Sequence, residues 1–386
     1  MGRARIILGV VLCLCSCTYA DLVASFQGLG DIPGGSFAWD VSADGSQIVG
    51  NSYSELGEEA FLWTFGTGAT GLGGLSSQSF RSEGSAISAN GSTVVGTSTG
   101  GNGVEAFRWT KTGGMIGLGD FPTGSFRSEG KGVSADGSVV VGVAQSNRGD
   151  GAFRWTEGSG MQELGDLVGG GYYSIARGVS GNGAVVVGAS DSGLGNTEAF
   201  RWTEAEGMVG LGPWTDGGYG YAIEARAVSF TGNVIVGTAV TPEGTQAFLW
   251  TAEDGYLGLG DLPGSTFDSH AYDVTADGRM VVGYGATTVA TGIEAFLWDE
   301  TNGMRSLKEI LEGDYGLNLA GWTLDNATAI SWDGSVIVGY GHNPDDQMEA
   351  WMARIPQVQV VPVPGGVLLG VLGLGCAGMR LRGRRT

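Results

Sequence analysis

Two hydrophobic patterns alternate along this chain. In one, consecutive apolar residues close on a glycine, as in Val139-Val140-Val141-Gly142; in the other, apolar side chains flank a polar one, as in Phe153-Arg154-Trp155. Consecutive apolar positions predict a strand buried on both faces, and alternation predicts a strand that is less enclosed. Both patterns recur. The Phe of an Ala-Phe-x-Trp string falls at 61, 107, 153, 200, 248 and 296, intervals of 46, 46, 47, 48 and 48, and a degenerate copy follows at Ala350-Trp351. The glycine that closes the apolar run falls at 50, 96, 142, 188, 237, 283 and 339. A fixed period of this length marks one supersecondary unit repeated along the chain.

Each unit predicts four short strands. In the third copy these are Gly132 to Ala135, Ser138 to Gly142, Ala152 to Thr156 and Met161 to Gly165. The first two are joined at Asp136-Gly137, one of six Asn-Gly or Asp-Gly pairs at this position, which predicts a two-residue hairpin with φ > 0 at both residues. The longest connection follows Leu-Gly-Asp, so the small-residue strand is expected innermost and the Met-x-x-Leu-Gly strand outermost. Four strands repeated radially predict an all-β, seven-bladed β-propeller. The chain starts with an outer-type strand, Val23 to Leu29, and its last unit ends on the third strand around Trp351. The propeller is therefore expected to be closed by an N-terminal strand, with short apolar helices at both chain ends. Ser306 to Glu312 reads as one or two helical turns inserted in the last unit.

Composition sharpens this picture. The chain has 74 Gly in 386 residues, without a three-residue period, and 11 Trp, 14 Phe and 11 Tyr supply a core. Of 20 basic residues six lie at the ends (Arg3, Arg5, Arg380, Arg382, Arg384, Arg385), leaving 14 against 40 acidic residues in the body. Such a charge opposes nucleic acid as a partner. Residues 1–20 combine Arg3 and Arg5, an apolar run and Thr18-Tyr19-Ala20, as in a cleaved secretory signal; Leu14-Cys15-Ser16-Cys17 also resembles a lipoprotein acceptor with Cys17 lipidated. The body, 21–357, has no cysteine, so an exported domain would be held by burial alone. The tail, 358–386, has a 15-residue apolar segment from Gly365 to Met379, six of its residues glycine, short of the ~20 that span a bilayer.

Taken together, the Val-Ser-x-Asp-Gly, Val-Val-Gly, Ala-Phe-Arg-Trp and Gly-Met-x-x-Leu-Gly-Asp strings over roughly 28 to 354 resemble the HAF family of extracellular repeats. That resemblance implies a bacterial surface or secreted protein and no established activity. The tail, with Pro362 and Pro364, the apolar segment and then Arg380, Arg382, Arg384 and Arg385, resembles a PEP-CTERM sorting signal. Val363 stands where that signal has Glu. The resemblance implies protein-sorting machinery as a partner; the shortness of the apolar segment favours a transient, processed membrane anchor, with a permanent transmembrane helix as the alternative.

Candidate chemistry is sparse. Gly96-Thr97-Ser98-Thr99-Gly100 matches a nucleophile-elbow string, but no helix is expected after it and the only histidines are His270 and His342. Gly373 to Gly378 matches a dinucleotide fingerprint inside the apolar tail, where it reflects glycine abundance. No zinc or iron constellation is legible. The aspartates after Leu-Gly, Asp31, Asp120, Asp166 and Asp261, are weak Ca²⁺ candidates, since turn capping is the commoner role. Phe37, Phe80, Phe126, Tyr172, Tyr219 and Phe267 are candidate ligand-face aromatics, with packing between units as the plainer role. These readings favour a monomeric, non-catalytic surface protein that binds polysaccharide or another surface protein. The alternative is an extracellular polysaccharide lyase or hydrolase using acidic residues in the propeller channel, for which fold alone is no warrant.

Overall fold

The computed structural model describes residues 23–30, 35–54, 57–76, 81–193, 195–214, 223–264, 267–288 and 292–356. They form seven four-stranded antiparallel sheets, the blades of a β-propeller. Inner strands are Ser36–Val41, Ser82–Ile87, Ser128–Val133, Ser174–Val179, Ile223–Val228, Ser269–Val274 and Asn326–Ile330, for blades 1 to 7. Six blades are continuous in sequence. Blade 7 is closed by the N-terminal strand Ser25–Gly28, which pairs with Met348–Arg354 from Ser25↔Arg354 to Gly28↔Trp351. Phe26 packs on Trp322 and Trp351 at the same seam.

The core lies between blades. Phe107, Phe153, Phe200, Phe248 and Phe296 are fully buried, and Trp351 takes that position in blade 7. Val236 and Ala247 of blade 5, for example, pack with Ala271, Val281 and Phe296 of blade 6, so each valine-rich second strand is covered on both faces. In five of the seven blades a serine at the start of the inner strand fastens such a pair, the inner strands of blades 5 and 7 beginning instead with Ile223 and Asn326. Ser128 Oγ donates to the Gly119 carbonyl (2.6 Å) and accepts from Ala106 N–H (3.0 Å), both in the preceding blade. Ser82, Ser174 and Ser269 repeat this arrangement.

Two local expectations are corrected. The inner strand of blade 3 begins at Ser128 rather than Gly132, because a mid-strand irregularity described below breaks the alternation that marks a strand in sequence. The hairpin is not the two-residue type. Gly137 has φ 75° while Asp136 does not enter the positive region, and Gly137 N–H bonds the Ser134 carbonyl. Asp136 acts through its side chain instead: Oδ1 accepts from Ser134 Oγ, Ser138 N–H and Ser138 Oγ. These bonds, led by that from the Ser138 hydroxyl, hold its carboxyl below the usual range.

In the last unit Ser306 caps a short helix, Leu307–Glu309, that runs into a π turn, Ile310–Asp314. No helix among the described residues is long and apolar enough to cross a membrane. The expected terminal helices, residues 1–20, Pro362, Pro364, Arg380, Arg382, Arg384 and Arg385 lie outside the described residues.

Candidate functional site in the central channel

Each inner strand carries one residue too many for its neighbour. In blade 3, Gly130 pairs with Gly142 and Gly132 with Val141, which leaves Lys131 as a β-bulge. The same slip occurs in the other six blades. The glycine of the Val-Val-Gly string makes it feasible: a Cβ on Gly142 would lie 1.9 Å from the Glu129 carbonyl oxygen. The bulged strand folds into the space that a side chain would fill. Bulges re-aim side chains, and here the bulge residue of every inner strand lies on the channel wall.

One bulge residue per blade thus lines a cavity of about 280 Å³, together with Glu83. Blades 3, 4 and 5 contribute Lys131, Arg177 and Arg226; blades 6 and 1 contribute Tyr272 and Trp39; Thr328 and Ser85 fill the gaps. A deeper space of about 180 Å³ continues to Asp40, Asp273 and the hairpin turns, where Phe230 packs edge-on against Trp332 at 5.1 Å and narrows the far end. The 280 Å³ cavity includes Glu83, the second residue of its inner strand, and so lies on the crossover-loop side of the hairpin turns.

The cationic arc is met by three carboxylates, Glu83, Glu129 and Glu224, unevenly shared. Lys131 Nζ lies 2.9 Å from Glu129 Oε2, but Arg177 and Arg226 share one carboxylate, Glu224 Oε2, at 3.0 and 3.5 Å. Burial first, and then Arg177, pull Arg226 below its ordinary value. Among the described residues the Nε atoms of both arginines are buried and find no hydrogen-bond partner. Burial raises Glu83 above the usual carboxylate range despite the Lys131 charge.

The facing arc is aromatic and braced from behind. Trp39 stacks on Phe37 at 6.0 Å and meets Tyr340 edge-on at 5.7 Å, while its indole N–H donates to Asn51 Oδ1. Arg226 lies 4.9 Å over the Tyr272 ring, so the two arcs meet there.

Asp40 and Asp273 sit deeper. Asp40 accepts from Val41 N–H and, across the blade boundary, from Ile87 N–H (2.8 Å); Asp273 accepts from Val274 N–H and from Ile330 N–H of blade 7 (2.9 Å). Burial pushes Asp40 up to about 8, with the Asp273 charge adding to it, and pushes Asp273 up to about 7. Both residues keep a part-exposed edge on the channel, so lumen water offsets some of that desolvation.

The residues singled out from sequence do not assemble into one site. Asp120 accepts from Phe121 and Arg127 N–H, and Asp261 from Leu262 and Asp268 N–H, so both staple crossover loops. Asp166 is half-buried on the equivalent crossover, and Asp31 lies outside the described residues. No group of three or more metal-ligating side chains comes together among the described residues. Phe126, Tyr172 and Phe267 each precede an inner strand, and the carbonyls of all three lie against a glycine of the preceding blade's loop. Arg148 lies 4.1 Å over Tyr172. Phe37 instead occupies the inner strand itself, behind Trp39; Phe80 and Tyr219 lie outside the described residues. His270 stacks on Tyr284 with Nε2 3.0 Å from Asp268 and Nδ1 3.3 Å from Thr238, and His342 Nδ1 lies 3.0 Å from Asp325. Sequence reasoning missed the bulge ring. The seven glycines were its one available signal, and they do not say which neighbouring residue turns inward.

No protein-family model and no curated protein sequence matches the chain. Solved structures do. Oligogalacturonate lyase from Vibrio parahaemolyticus is 9% identical, with a TM-score of 0.53, over 87% of this chain and 98% of that one. Puromycin hydrolase is 15% identical, with a TM-score of 0.54, over 87% of this chain and 55% of that one. TolB from Acinetobacter baumannii is 13% identical, with a TM-score of 0.45, over 84% of this chain, which spans 64% of TolB. At these identities the likeness is one of fold alone.

Proposed function

We propose that the chain is an exported, surface-displayed, non-catalytic binding protein whose ligand occupies the central channel from the crossover-loop face. The observation that carries this reading is the bulge ring, where a sevenfold scaffold presents unlike side chains to one cavity. Convergence of unlike groups marks a site. The chemistry needed for turnover is less well served. The carboxyls of Asp40 and Asp273 are each tied to two backbone N–H groups, and both His270 ring nitrogens are engaged. Burial also raises the Tyr272 hydroxyl, which keeps it protonated. The lyase or hydrolase alternative has in its favour that Asp40, Asp273 and Arg226 share one lumen.

Export and display rest on the signal-like residues 1–20, the HAF-like repeats and the PEP-CTERM-like tail, which would hand the protein to sorting machinery. Incubating the purified chain with immobilised glycans, followed by mass analysis of the glycans, separates binding from cleavage: retention with unchanged masses is expected, and shortened products would refute the reading. For display, deleting 361–386 should release a folded protein to the medium. Recovery of the surface-bound protein with Thr386 intact would refute processing.

A further inference from the structure

We infer that the channel ligand is a carboxylated sugar, a hexuronate unit of an acidic polysaccharide, with its carboxylate toward Lys131, Arg177 and Arg226 and its apolar ring face on Trp39 and Tyr272. This rests on the binding-module reading above. Two arginines share the single carboxylate of Glu224, each through one Nη; their Nε atoms are buried, so it is the remaining Nη donors, without another partner among the described residues, that are left for a second, external carboxylate. The guanidinium fork matches a planar carboxylate in two-point contact. Across the lumen, Trp39 is fixed by Asn51, Phe37 and Tyr340, and Tyr272 by the guanidinium of Arg226, so flat apolar surfaces are already in place before a ligand arrives. One gap carries the Ser85 hydroxyl, the Thr328 hydroxyl being turned to the Ala38 and Val338 carbonyls, and the floor carries Asp40 and Asp273. A pyranose with an apolar face, a hydroxylated rim and one carboxylate matches all three sectors. A neutral sugar leaves the cations unused, and a simple inorganic anion leaves the aromatic wall unused. The acidic body makes the choice sharper: cations are scarce in this chain, yet three line this one cavity.

Titration calorimetry of the full-length protein at low salt tests this, with trigalacturonate, its methyl ester, maltotriose and a sulfated trisaccharide as probes. Trigalacturonate is expected to bind at least tenfold more tightly than its ester. Arg177→Gln and Lys131→Gln should each weaken the acid at least tenfold, with Arg177→Lys retaining part of it. Trp39→Ala should weaken acid and ester alike, and Arg201→Gln on the outer surface should bind as the unaltered chain does. Thermal melts establish that each variant is folded. Equal affinity for acid and ester, or preference for maltotriose, overturns the uronate assignment and leaves a binding protein. Preference for the sulfated sugar overturns the carboxylate assignment alone. Release of shortened or unsaturated sugar overturns the non-catalytic reading whatever the affinity, and the absence of binding to all four probes overturns both.

Discussion

Two adjacent positions of the same repeat behave in opposite ways. The residue that accommodates the bulge is glycine in all seven blades; the bulge residue itself is Trp39, Ser85, Lys131, Arg177, Arg226, Tyr272 or Thr328. The first position is set by backbone sterics, which are alike in every blade, and so tolerates one residue. The second points into a lumen with room around it, so packing exerts little choice and chemistry can differ blade by blade. Scaffold and site are thus separated by a single step across the sheet.

The largest expected effect comes from breaking the scaffold where it is held by two distant chain segments. Deleting residues 22–29 removes the outer strand of blade 7 and the Phe26 contacts, exposing the edge of Met348–Arg354. Size-exclusion chromatography should show association or loss of the folded monomer; a monomer with an unchanged melting temperature would contradict strand closure.

Next is the uniform glycine. Gly142→Ala forces a Cβ against the Glu129 carbonyl, and a cost of about 3 kcal/mol or more is expected in urea unfolding, at the upper end of overpacking penalties. A Cβ on Gly158 would meet no described atom within 4 Å, and the φ of Gly158 is not positive, so Gly158→Ala should be neutral or slightly stabilising. Equal effects at the two sites would remove the steric account.

The deep carboxyls give a pH dependence. Because Asp40 and Asp273 are raised to about 8 and about 7, the folded state holds their protons where the unfolded chain has lost them. Their contribution is fully present below the ordinary carboxylate value and is lost as pH rises toward 7 to 8, by at most about 1.4 kcal/mol per pH unit for each proton. The double variant Asp40→Asn/Asp273→Asn should therefore lose less stability than the unaltered protein between pH 5 and pH 8. Parallel pH profiles would show that lumen water solvates both groups fully.

The smallest effect belongs to the variable position. Ser85→Ala should change stability by no more than about 0.5 kcal/mol, and a cost comparable to that of Gly142→Ala would erase the distinction drawn above.

Much of the architecture was legible because its determinants are local and repeated. The alternating and continuous apolar runs named the third and second strands, the count of units named seven blades, and the surplus outer strand at the N-terminus named the closure. The inner strands were only half legible, since the bulge interrupts their alternation and the stretch from Ser128 to Gly132 then reads as loop. Asp120 and Asp261 looked like a ring of ligands because repetition puts them at equivalent places, but short-range bonds to their own crossover loops use both oxygens.

What the sequence determined by itself is the scaffold: period, strand order within a blade, blade number and the seam, all consequences of patterns that repeat at intervals of 46 to 48 residues through the first six units. What only the tertiary structure decided is the site. Lys131, Arg177, Arg226, Tyr272 and Trp39 come from five different repeats, and nothing in the spacing between them differs from that of their silent neighbours. They meet because ring closure brings seven inner strands to one axis and a steric event opposite each glycine turns one side chain per blade toward it. Such convergence depends on backbone paths across the whole ring, which no local pattern encodes.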